Sequence, residues 1–222
     1  MNPITRTIPS LDLFGEETGF EVVECKSKIL TDLILNVHYA RRMPPVSYGF
    51  LLRIDGVESG CVTFGMPASP NVAIGICNGK HMKNVLELNR LVVKEGCAKF
   101  TASRLIASAL RELAKKGDFV IVSYADSQWG HVGKVYQATN WIYTGLTKKR
   151  TDPYCGGKHS RHYDHSPEAM KIREVRHPKH RYVMFVGPHR KKMRKDLKWS
   201  VEPYPVGDSV RYDVDNPTPV NE

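Results

Sequence analysis

The sequence lacks the signatures of several large protein classes. None of the motifs G-x-x-x-x-G-K-[ST], G-x-G-x-x-G or G-x-S-x-G occurs in the 222 residues, which argues against P-loop, Rossmann and hydrolase assignments. No run approaches the roughly 18 apolar residues of a membrane span, and no charged-then-apolar signal pattern is present. The five cysteines form no C-x-x-C pair, so neither a zinc ribbon nor a disulfide framework is expected. We therefore expect a soluble intracellular protein that does not associate with membranes.

The charge is strongly positive and unevenly distributed. The chain holds 33 Lys and Arg against 23 Asp and Glu, a formal net charge of +10. Residues 146–200 contain 16 of these cations and only five acids, so this segment accounts for the whole excess. Such a block indicates a polyanion partner, because each phosphate that a cation neutralises releases condensed counterions. A solvated basic surface is the alternative, and we favour nucleic acid.

The hydrophobic pattern predicts a mixed α/β chain in which strands and helices alternate. The helix predicted over 101–115 has Thr101 as its N-cap and Gly117 as its C-terminal stop. A hairpin turn is predicted at Asp55-Gly56. The predicted strands cover 20–25, 49–54, 60–64, 87–93, 119–124, 141–144 and 181–186, and the other predicted helices cover 27–39 and 133–139.

Composition divides the chain into three segments. Residues 1–145 form the predicted α/β core. Residues 146–200 are rich in His, Lys and Arg, and we expect them to complete the sheet and bind nucleic acid. Residues 201–222 are rich in Pro, Asp and Asn, and we expect an extended or disordered tail.

Asp126 and Tyr136 are the first candidates for chemistry. Asp126 comes where a buried strand is predicted to end, and ligands of open α/β sheets bind beyond the carboxyl ends of strands. Its carboxylate could act as a base or orient an amine, but Asp is equally common as a helix N-cap. Tyr136 could donate a phenolic proton or stack on a base, or it could be a core aromatic. The same alternatives apply to Trp129.

Charged residues in and near the apolar segments are weaker candidates. Arg90 interrupts an apolar strand, where a charge is costly unless it is paired. Glu87 and a ligand anion are alternative partners, and on a half-exposed strand Arg90 would be an ordinary surface residue. Residues 38–42 (HYARR) combine a titratable group, an aromatic ring and two cations at a predicted helix end, where cations also occur for dipole reasons.

The basic segment is also rich in histidine. Six of the nine histidines lie in residues 146–200, and His159, His162 and His165 have a spacing of three. Three histidines can ligate a transition metal, but this spacing drifts around a helix and no Cys pair supports a site. We favour phosphate contact or surface polarity. No metal ligand is therefore predicted, and a histidine-bound iron is considered but not favoured.

The order of these motifs resembles a known family. The segments ELNRLVV, TASRLIASAL and FVIVSYADSQWGHVGKVYQATNWIYTG are similar to the Mom family of phage DNA-modifying proteins. The similarity runs from about Val37 to Gly145, and a basic C-terminal extension follows. The wider resemblance is to the GCN5-related N-acyltransferases, whose last strand–helix–strand unit commonly contains Y-x-x-x-G/N-F, as in Tyr136–Trp141 here. It implies a mixed central sheet flanked by helices.

The resemblance also implies a function and a set of residues. It implies a transferase that converts adenine in double-stranded DNA to N6-(carbamoylmethyl)adenine, which protects phage DNA from restriction, in the cytoplasm of the infected bacterial host. The residues essential in the family correspond here to His38, Tyr39, Arg90, Ser103, Asp126 and Tyr136. We expect base stacking from Trp129 and Tyr124. The cations expected to bind nucleic acid are Arg41, Arg42, Lys148, Lys149, Arg150, Arg190, Lys191, Lys192, Arg194 and Lys195.

The donor is left open between glycyl-tRNA and an acyl-CoA. Acyl-CoA users of the superfamily have an R/Q-x-x-G-x-G/A loop whose backbone amides hold the pyrophosphate, whereas Lys94–Ala98 contains one glycine. The product links N6 to a methylene that bears a carboxamide, which acetyl transfer cannot make. An activated glycine supplies these atoms, and the basic segment could hold tRNA or DNA.

Two other functions are carried as alternatives. One is an acetyl-CoA-dependent N-acetyltransferase of a protein or small amine. The other is a catalytically silent DNA-binding protein with an acyltransferase-like core.

Overall fold

The computed structural model describes residues 10–11, 17–26, 28–38, 40–153, 166–167, 171 and 173–208. Its strands are β1 (Ser10–Leu11), β2 (Glu17–Thr18), β3 (Phe20–Glu24), β4 (Tyr48–Ile54), β5 (Val57–Gly65), β6 (Val85–Val93), β7 (Phe119–Asp126), β8 (Ile142–Leu146), β9 (Arg150–Pro153), β10 (Arg173–Arg176) and β11 (Lys179–Val186). The α-helices are α1 (Lys28–Asn36), α2 (Pro70–Ile76), α3 (Thr101–Lys116), α4 (Lys134–Ala138) and α5 (Arg190–Arg194), and two 3₁₀ turns cover Met82–Asn84 and Ser127–Trp129.

Seven of the strands form one mixed sheet in the order β3-β4-β5-β6-β7-β11-β8. Neighbouring strands are antiparallel except β6 and β7, which are parallel and are joined by the α3 crossover. The β4–β5 hairpin turns at Asp55 (φ 52°) and Gly56 (φ 79°), because a two-residue turn with two left-handed residues matches the strand twist. Two antiparallel strand pairs, β1–β2 and β9–β10, form separate two-stranded sheets.

Helices cover both faces of the sheet. The apolar stripe of α3, which includes Leu105, Ile106 and Leu113, packs with Leu86 and Ile121 into the larger core. On the other face of the sheet, residues of α2 and α5 pack against β6, β7 and β11, and α1 covers β4 and β5. Successive residues of β6 and β7 therefore point to different cores, as expected for strands buried on both faces.

The two parallel strands pair over three residues only. Val85, Leu86 and Glu87 pair with residues 120–122, and beyond Glu87 no pairing between β6 and β7 is formed. Beyond this point β6 stays hydrogen-bonded to β5, whereas β7 stays hydrogen-bonded to β11 as far as the Asp126–Lys179 pair. A wedge-shaped gap therefore opens in the middle of the sheet, towards the C-terminal ends of both parallel strands.

The chain after α5 returns across the sheet as an extended strap, residues 197–208. Its backbone amides at Lys198 and Glu202 donate to Ile76 O (2.8 Å) and Tyr143 O (3.1 Å). Further along, the Tyr204 hydroxyl donates to Trp141 O (2.6 Å). The segment predicted to be extended or disordered, residues 201–222, is described as far as residue 208, where it forms part of this strap. Residues 209–222 lie outside the described part.

The predicted fold class, a mixed central sheet flanked by helices, is confirmed. Gly117 ends α3 as predicted, but Thr101 is not its N-cap: Phe100 holds that position at φ 70°, and the Thr101 hydroxyl donates to Ala98 O (2.7 Å). Helices α2 and α5 were not predicted, because five to seven residues give too little periodicity. Among the described residues, no helix is both long and apolar enough to cross a bilayer.

The strap provides a test of its contribution to stability. Tyr204→Phe removes the hydroxyl that bonds to Trp141 O but keeps the ring. We expect the free energy of unfolding to fall by about 1 kcal/mol, measured by urea denaturation. The control is Val206→Ala in the same strap, because Val206 is 97% exposed and its truncation removes little buried surface. Equal stability of Tyr204→Phe and wild type would show that the strap is not held by this bond.

Candidate active site

The gap between β6 and β7 opens into a cavity of about 940 Å³. This volume is at the upper end of the roughly 300–1,000 Å³ typical of ligand sites. Its walls come from the C-terminal halves of β6 and β7, the start of α3, the end of α1 and the segment from residue 131 to α4. Five predicted site residues line this cleft: His38, Arg90, Tyr124, Asp126 and Tyr136.

Asp126 ends β7 and is 9% exposed. One carboxylate oxygen, Oδ1, accepts the backbone N–H of Gln128 (3.2 Å) and caps the 3₁₀ turn. The other, Oδ2, is 2.5 Å from Lys179 Nζ on β11. The N-cap interpretation is therefore correct, and it is compatible with a role in the cleft, because the cap and the ion pair fix the position of the carboxylate.

Tyr136 lies on α4 and is 7% exposed. Its hydroxyl is 2.7 Å from Ser123 Oγ, which also donates to Leu88 O at 2.9 Å. Since a serine has one hydroxyl hydrogen and a carbonyl can only accept, the Tyr136 hydroxyl donates to Ser123. This chain of bonds joins α4, β7 and β6 at the position where the two strands separate. Sequence reasoning did not single out Ser123.

The conformation of Gly133 brings α4 close to the sheet. Gly133 has φ +75°, and a Cβ there would lie 2.5 Å from Cε2 of Tyr182 and 3.0 Å from Cδ2 of Tyr136. Glycine is thus required for both backbone conformation and space. The Tyr136 ring packs at 5.1 Å, centroid to centroid, from both Trp141 and Tyr182. The ring is thus a core aromatic as well as part of the cleft wall.

Arg90 fixes the turn that follows α1. Its Nε and Nη2 donate to Arg42 O (3.1 and 2.9 Å), and Nη1 donates to its own neighbour Asn89 O (2.6 Å). The guanidinium therefore ties β6 to the turn that carries the exposed Arg41 and Arg42. Its positive charge also acts on the adjacent His38.

His38 is buried in the cleft wall and stays neutral. Burial, together with the smaller effects of the charges of Arg90 and His131, lowers the pKa of its imidazole to about 3. Its Nδ1 accepts the backbone N–H of Ala40 (3.0 Å). At neutral pH, His38 can therefore offer a hydrogen bond but no positive charge.

The remaining aromatic and hydroxyl candidates have different positions. Tyr124 is part of the cleft wall, and burial, followed by the nearby Glu87 charge, raises the pKa of its phenol to about 12. Trp129 lies in the 3₁₀ turn capped by Asp126 and is not in the wall. Ser103 lies outside the cleft, beside a separate groove between α3 and the residues after α4, and donates to Phe100 O (2.8 Å). Tyr39 lies outside the described residues.

Several cleft residues were missed in the sequence. His131 enters through the loop after Asp126, and its backbone N–H donates to Asp126 O (3.2 Å). Asn89 is held by Thr63, whose hydroxyl donates to its Oδ1 (2.7 Å). Asp208, at the end of the strap, also lines the cleft. Asn89 and His131 lie inside the family-like segments ELNRLVV and FVIVSYADSQWGHVGKVYQATNWIYTG, but nothing in their residue type or spacing singled them out. Asp208 is brought to the cleft by a long return of the chain.

The predicted nucleic-acid-binding cations separate into two groups at opposite ends of the sheet. Lys148, Lys149 and Arg150 follow β8, where Thr147 N donates to Lys179 O (2.9 Å), and Lys179 pairs with Asp126 at the cleft end. The helix α5 follows the other end of β11, where Val186 pairs with Phe119. All ten predicted cations are exposed.

The described residues include no group of three or more His, Cys, Asp and Glu side chains that could hold a metal ion. His159, His162 and His165 lie outside the described residues. The loop over 94–98 lines the cleft at the start of α3, and its one glycine, Gly96, has φ +79°. A nucleotide pyrophosphate would meet one glycine there rather than a glycine-rich cradle.

Sheet, helices and cleft together define the chain as an α/β protein with a mixed seven-stranded sheet flanked by helices. The chain belongs to the Mom protein family, whose model matches residues 19–206. It is 25% identical over 206 residues to the methylcarbamoylase Mom of Escherichia phage Mu, covering 86% of this chain and 85% of that protein. The resemblance seen in the sequence is therefore confirmed, as is the prediction of a transferase.

Solved acetyltransferase structures are also similar to the chain. A putative acetyltransferase from Acinetobacter baylyi matches with 15% identity and a TM-score of 0.47, over 77% of this chain and 95% of that one. A Bacillus subtilis acetyltransferase in complex with CoA matches with 16% identity and a TM-score of 0.45, over 76% and 98%.

The buried neutral imidazole predicts a pH dependence of stability. The folded-state pKa of His38, about 3, lies below the unfolded value near 6.5, so the unfolded chain takes up this proton first as the pH falls. The contribution of His38 to stability is intact above pH 6.5 and is lost progressively below it. We expect wild type to lose up to about 2 kcal/mol more unfolding free energy between pH 7 and 5 than His38→Asn.

The measurement is urea denaturation of both proteins at the two pH values. Asparagine is the matched replacement, because its Oδ1 can accept the Ala40 N–H that Nδ1 accepts in wild type. An equal loss of stability in the two proteins would contradict a neutral buried His38.

Proposed function

We propose that the chain modifies adenine in double-stranded DNA to N6-(carbamoylmethyl)adenine and so protects phage DNA from host restriction. Membership of the Mom family, with a methylcarbamoylase relative that covers most of the chain, carries this proposal. The cleft supports it, since a buried, oriented carboxylate, a tyrosine and a neutral histidine surround a cavity large enough for a nucleotide base.

The donor in this proposal is an activated glycine, for which glycyl-tRNA is the available chemical form. Adenine N6 attacks the glycyl carbonyl, the ester C–O bond breaks, and the tRNA 3′-oxygen leaves with a proton. The product is N6–CO–CH₂–NH₂. The glycyl amine then attacks C6, the original C6–N6 bond breaks, and the released nitrogen becomes the carboxamide. The result, C6–NH–CH₂–CO–NH₂, contains the same atoms, so the step needs no further reactant.

The cleft residues have separate roles in this reaction. The Asp126 carboxylate accepts a proton from the adenine amine. The bonds of Asp126 to Gln128 N and Lys179 fix the carboxylate in position. Tyr136 donates its proton to the leaving oxygen. Ser123 can then turn its hydrogen from the Leu88 carbonyl to the phenolate, which stabilises the charge.

The other predicted residues support the site indirectly. Arg90 holds the turn carrying Arg41 and Arg42 against β6, and in this reaction scheme its charge would also steady the donor carbonyl or phosphate. His38, neutral at pH 7, offers a hydrogen bond rather than a charge. Ser103 lies in the groove between α3 and α4, so any contact it makes with the donor is outside the cleft.

The target adenine must leave the duplex before its N6 can be attacked. Flipping a base out of the stack costs a few kcal/mol, which aromatic stacking can offset. Tyr124 is in the cleft wall for this role, and Trp129 lies on the turn at its edge. The exposed cations at the cleft end, Arg41, Arg42 and residues 148–150, are suited to contact the flanking phosphates.

The direct test is mass spectrometry of nucleosides from plasmid DNA after expression in bacteria. We expect a deoxyadenosine adduct heavier by one glycine residue in wild type, and at least about a hundredfold less of it in Asp126→Asn. The control is Asp32→Asn. It makes the same substitution at an exposed position of α1 outside the cleft.

Each outcome separates the alternatives. Adduct in Asp32→Asn but not in Asp126→Asn supports the proposed role of the carboxylate. Adduct that carries no label when cells are fed carbon-labelled glycine would contradict the donor. Unmodified DNA in wild type would contradict the function and favour a silent DNA-binding protein or an acetyl-CoA-dependent N-acetyltransferase, which CoA binding would distinguish.

A further inference from the structure

A second basic surface lies on and around α5, away from the cleft. Residues 187–198 contain six Lys and Arg and a single acid. Together with one lysine of the nearby 3₁₀ turn they form what we call the α5 face. Its exposed cations are Lys83, Arg190, Lys191, Lys192, Arg194, Lys195 and Lys198.

The local packing directs these cations outwards. Met193, 4% exposed, is the residue of α5 that enters the core formed with α2, β7 and β11. The acids at the two ends of the helix are both engaged. Asp196 binds Lys80 Nζ (2.6 Å) and His81 Nε2 (2.9 Å), and Asp118 accepts from His189 N (2.7 Å).

Those anchoring bonds leave the acids unable to neutralise the helix. The pKa of Asp196 is lowered by its bonds to Lys80 and His81, and that of Asp118 by its bonds to His189. Both acids stay charged and paired with groups other than the α5 cations. The α5 face therefore keeps a concentrated positive potential, which is the electrostatic requirement for binding a phosphate backbone.

The α5 face and the cleft lie at opposite ends of the same strands. In the β7–β11 ladder, Val186 pairs with Phe119 at the end next to α5, and Lys179 pairs with Asp126 at the cleft. Seven steps along a strand at about 3.3 Å per residue separate the two ends by roughly 23 Å. Double-stranded DNA is stiff over about 150 bp, so a duplex that crosses the cleft end of these strands, rather than running along them, would leave the α5 face unoccupied.

We propose that the α5 face binds the folded body of the RNA donor, while the cleft end binds the target duplex. This inference rests on the proposed function, which requires two nucleic acids to meet at one cleft. A folded RNA can be held by its backbone on the α5 face while a single-stranded, aminoacylated 3′ end extends to the cleft. The cations of α5 have no aromatic residue between them, which favours phosphate contact over base stacking.

The test measures binding of two probes to the full chain: an unacylated glycine-accepting tRNA and a short adenine-containing DNA duplex. The α5 variant is Lys191→Gln/Lys192→Gln/Lys195→Gln. The matched variant, Lys148→Gln/Lys149→Gln/Arg150→Gln, removes the same charge at the cleft end. All six side chains are exposed, so both variants are expected to fold.

For the α5 variant we expect tRNA binding to weaken about tenfold or more, with the slope of log K against log[salt] reduced by about 2 to 3. Its duplex binding should change little, and the matched variant should show the reverse pattern. At limiting charged tRNA, adenine modification by the α5 variant should fall, and saturating tRNA should restore it.

Two results would overturn the inference: tRNA binding by the α5 variant equal to wild type, or loss of duplex binding in that variant alone. The second would mean that the α5 face holds DNA. Failure of the proposed function is distinguishable, since it appears as unmodified DNA in wild type whatever the probe binding. If the modified adenine carries the glycine label while the α5 variant binds tRNA as tightly as wild type, the proposed function stands. The proposed role of the α5 face would then be wrong.

Discussion

The site depends on the short pairing between β6 and β7. After Glu87 the two parallel strands no longer hydrogen-bond to each other, and the backbone groups along the gap need other partners. The Leu88 carbonyl, the first on β6 beyond the paired residues, accepts from Ser123 on β7, and Ser123 accepts from Tyr136 on α4. One irregularity of the sheet thus produces both the cavity and the hydroxyl chain in its wall.

The charged groups around the gap are fixed by bonds to the backbone or to each other. Asp126 caps a turn and pairs with Lys179, and Arg90 binds the Arg42 carbonyl oxygen in the turn after α1. Such fixed groups lose little orientational freedom when a substrate binds, which is the requirement for stabilising charge that develops during a reaction. The positions of the exposed cations at both ends of the sheet suit long, charged partners.

Local signals predicted much of the fold, because strand and helix periodicity and turn chemistry act over a few residues. The β4–β5 hairpin and α3 follow directly from such patterns. Asp126 and Tyr136 were found through their position after a buried strand and through the family motif. His131, Ser123 and Asp208 reach the site by tertiary contacts, and Ser103 and α5 lie away from it although the same motifs and charge block included them. The separation of β6 from β7 leaves no pattern in the sequence. Nor does the sequence show at which end of the sheet a residue will lie.

The measurement that most directly tests this account is a crystal structure of the protein with a duplex containing the target adenine opposite a mismatched base. The mismatch lowers the cost of extruding the base. The account predicts a flipped adenine in the gap between β6 and β7, with N6 within hydrogen-bond distance of the Asp126 carboxylate and Tyr136 on the other side of the reacting atoms. An adenine that remains stacked in the bound duplex, or that occupies the groove beside Ser103, would contradict it.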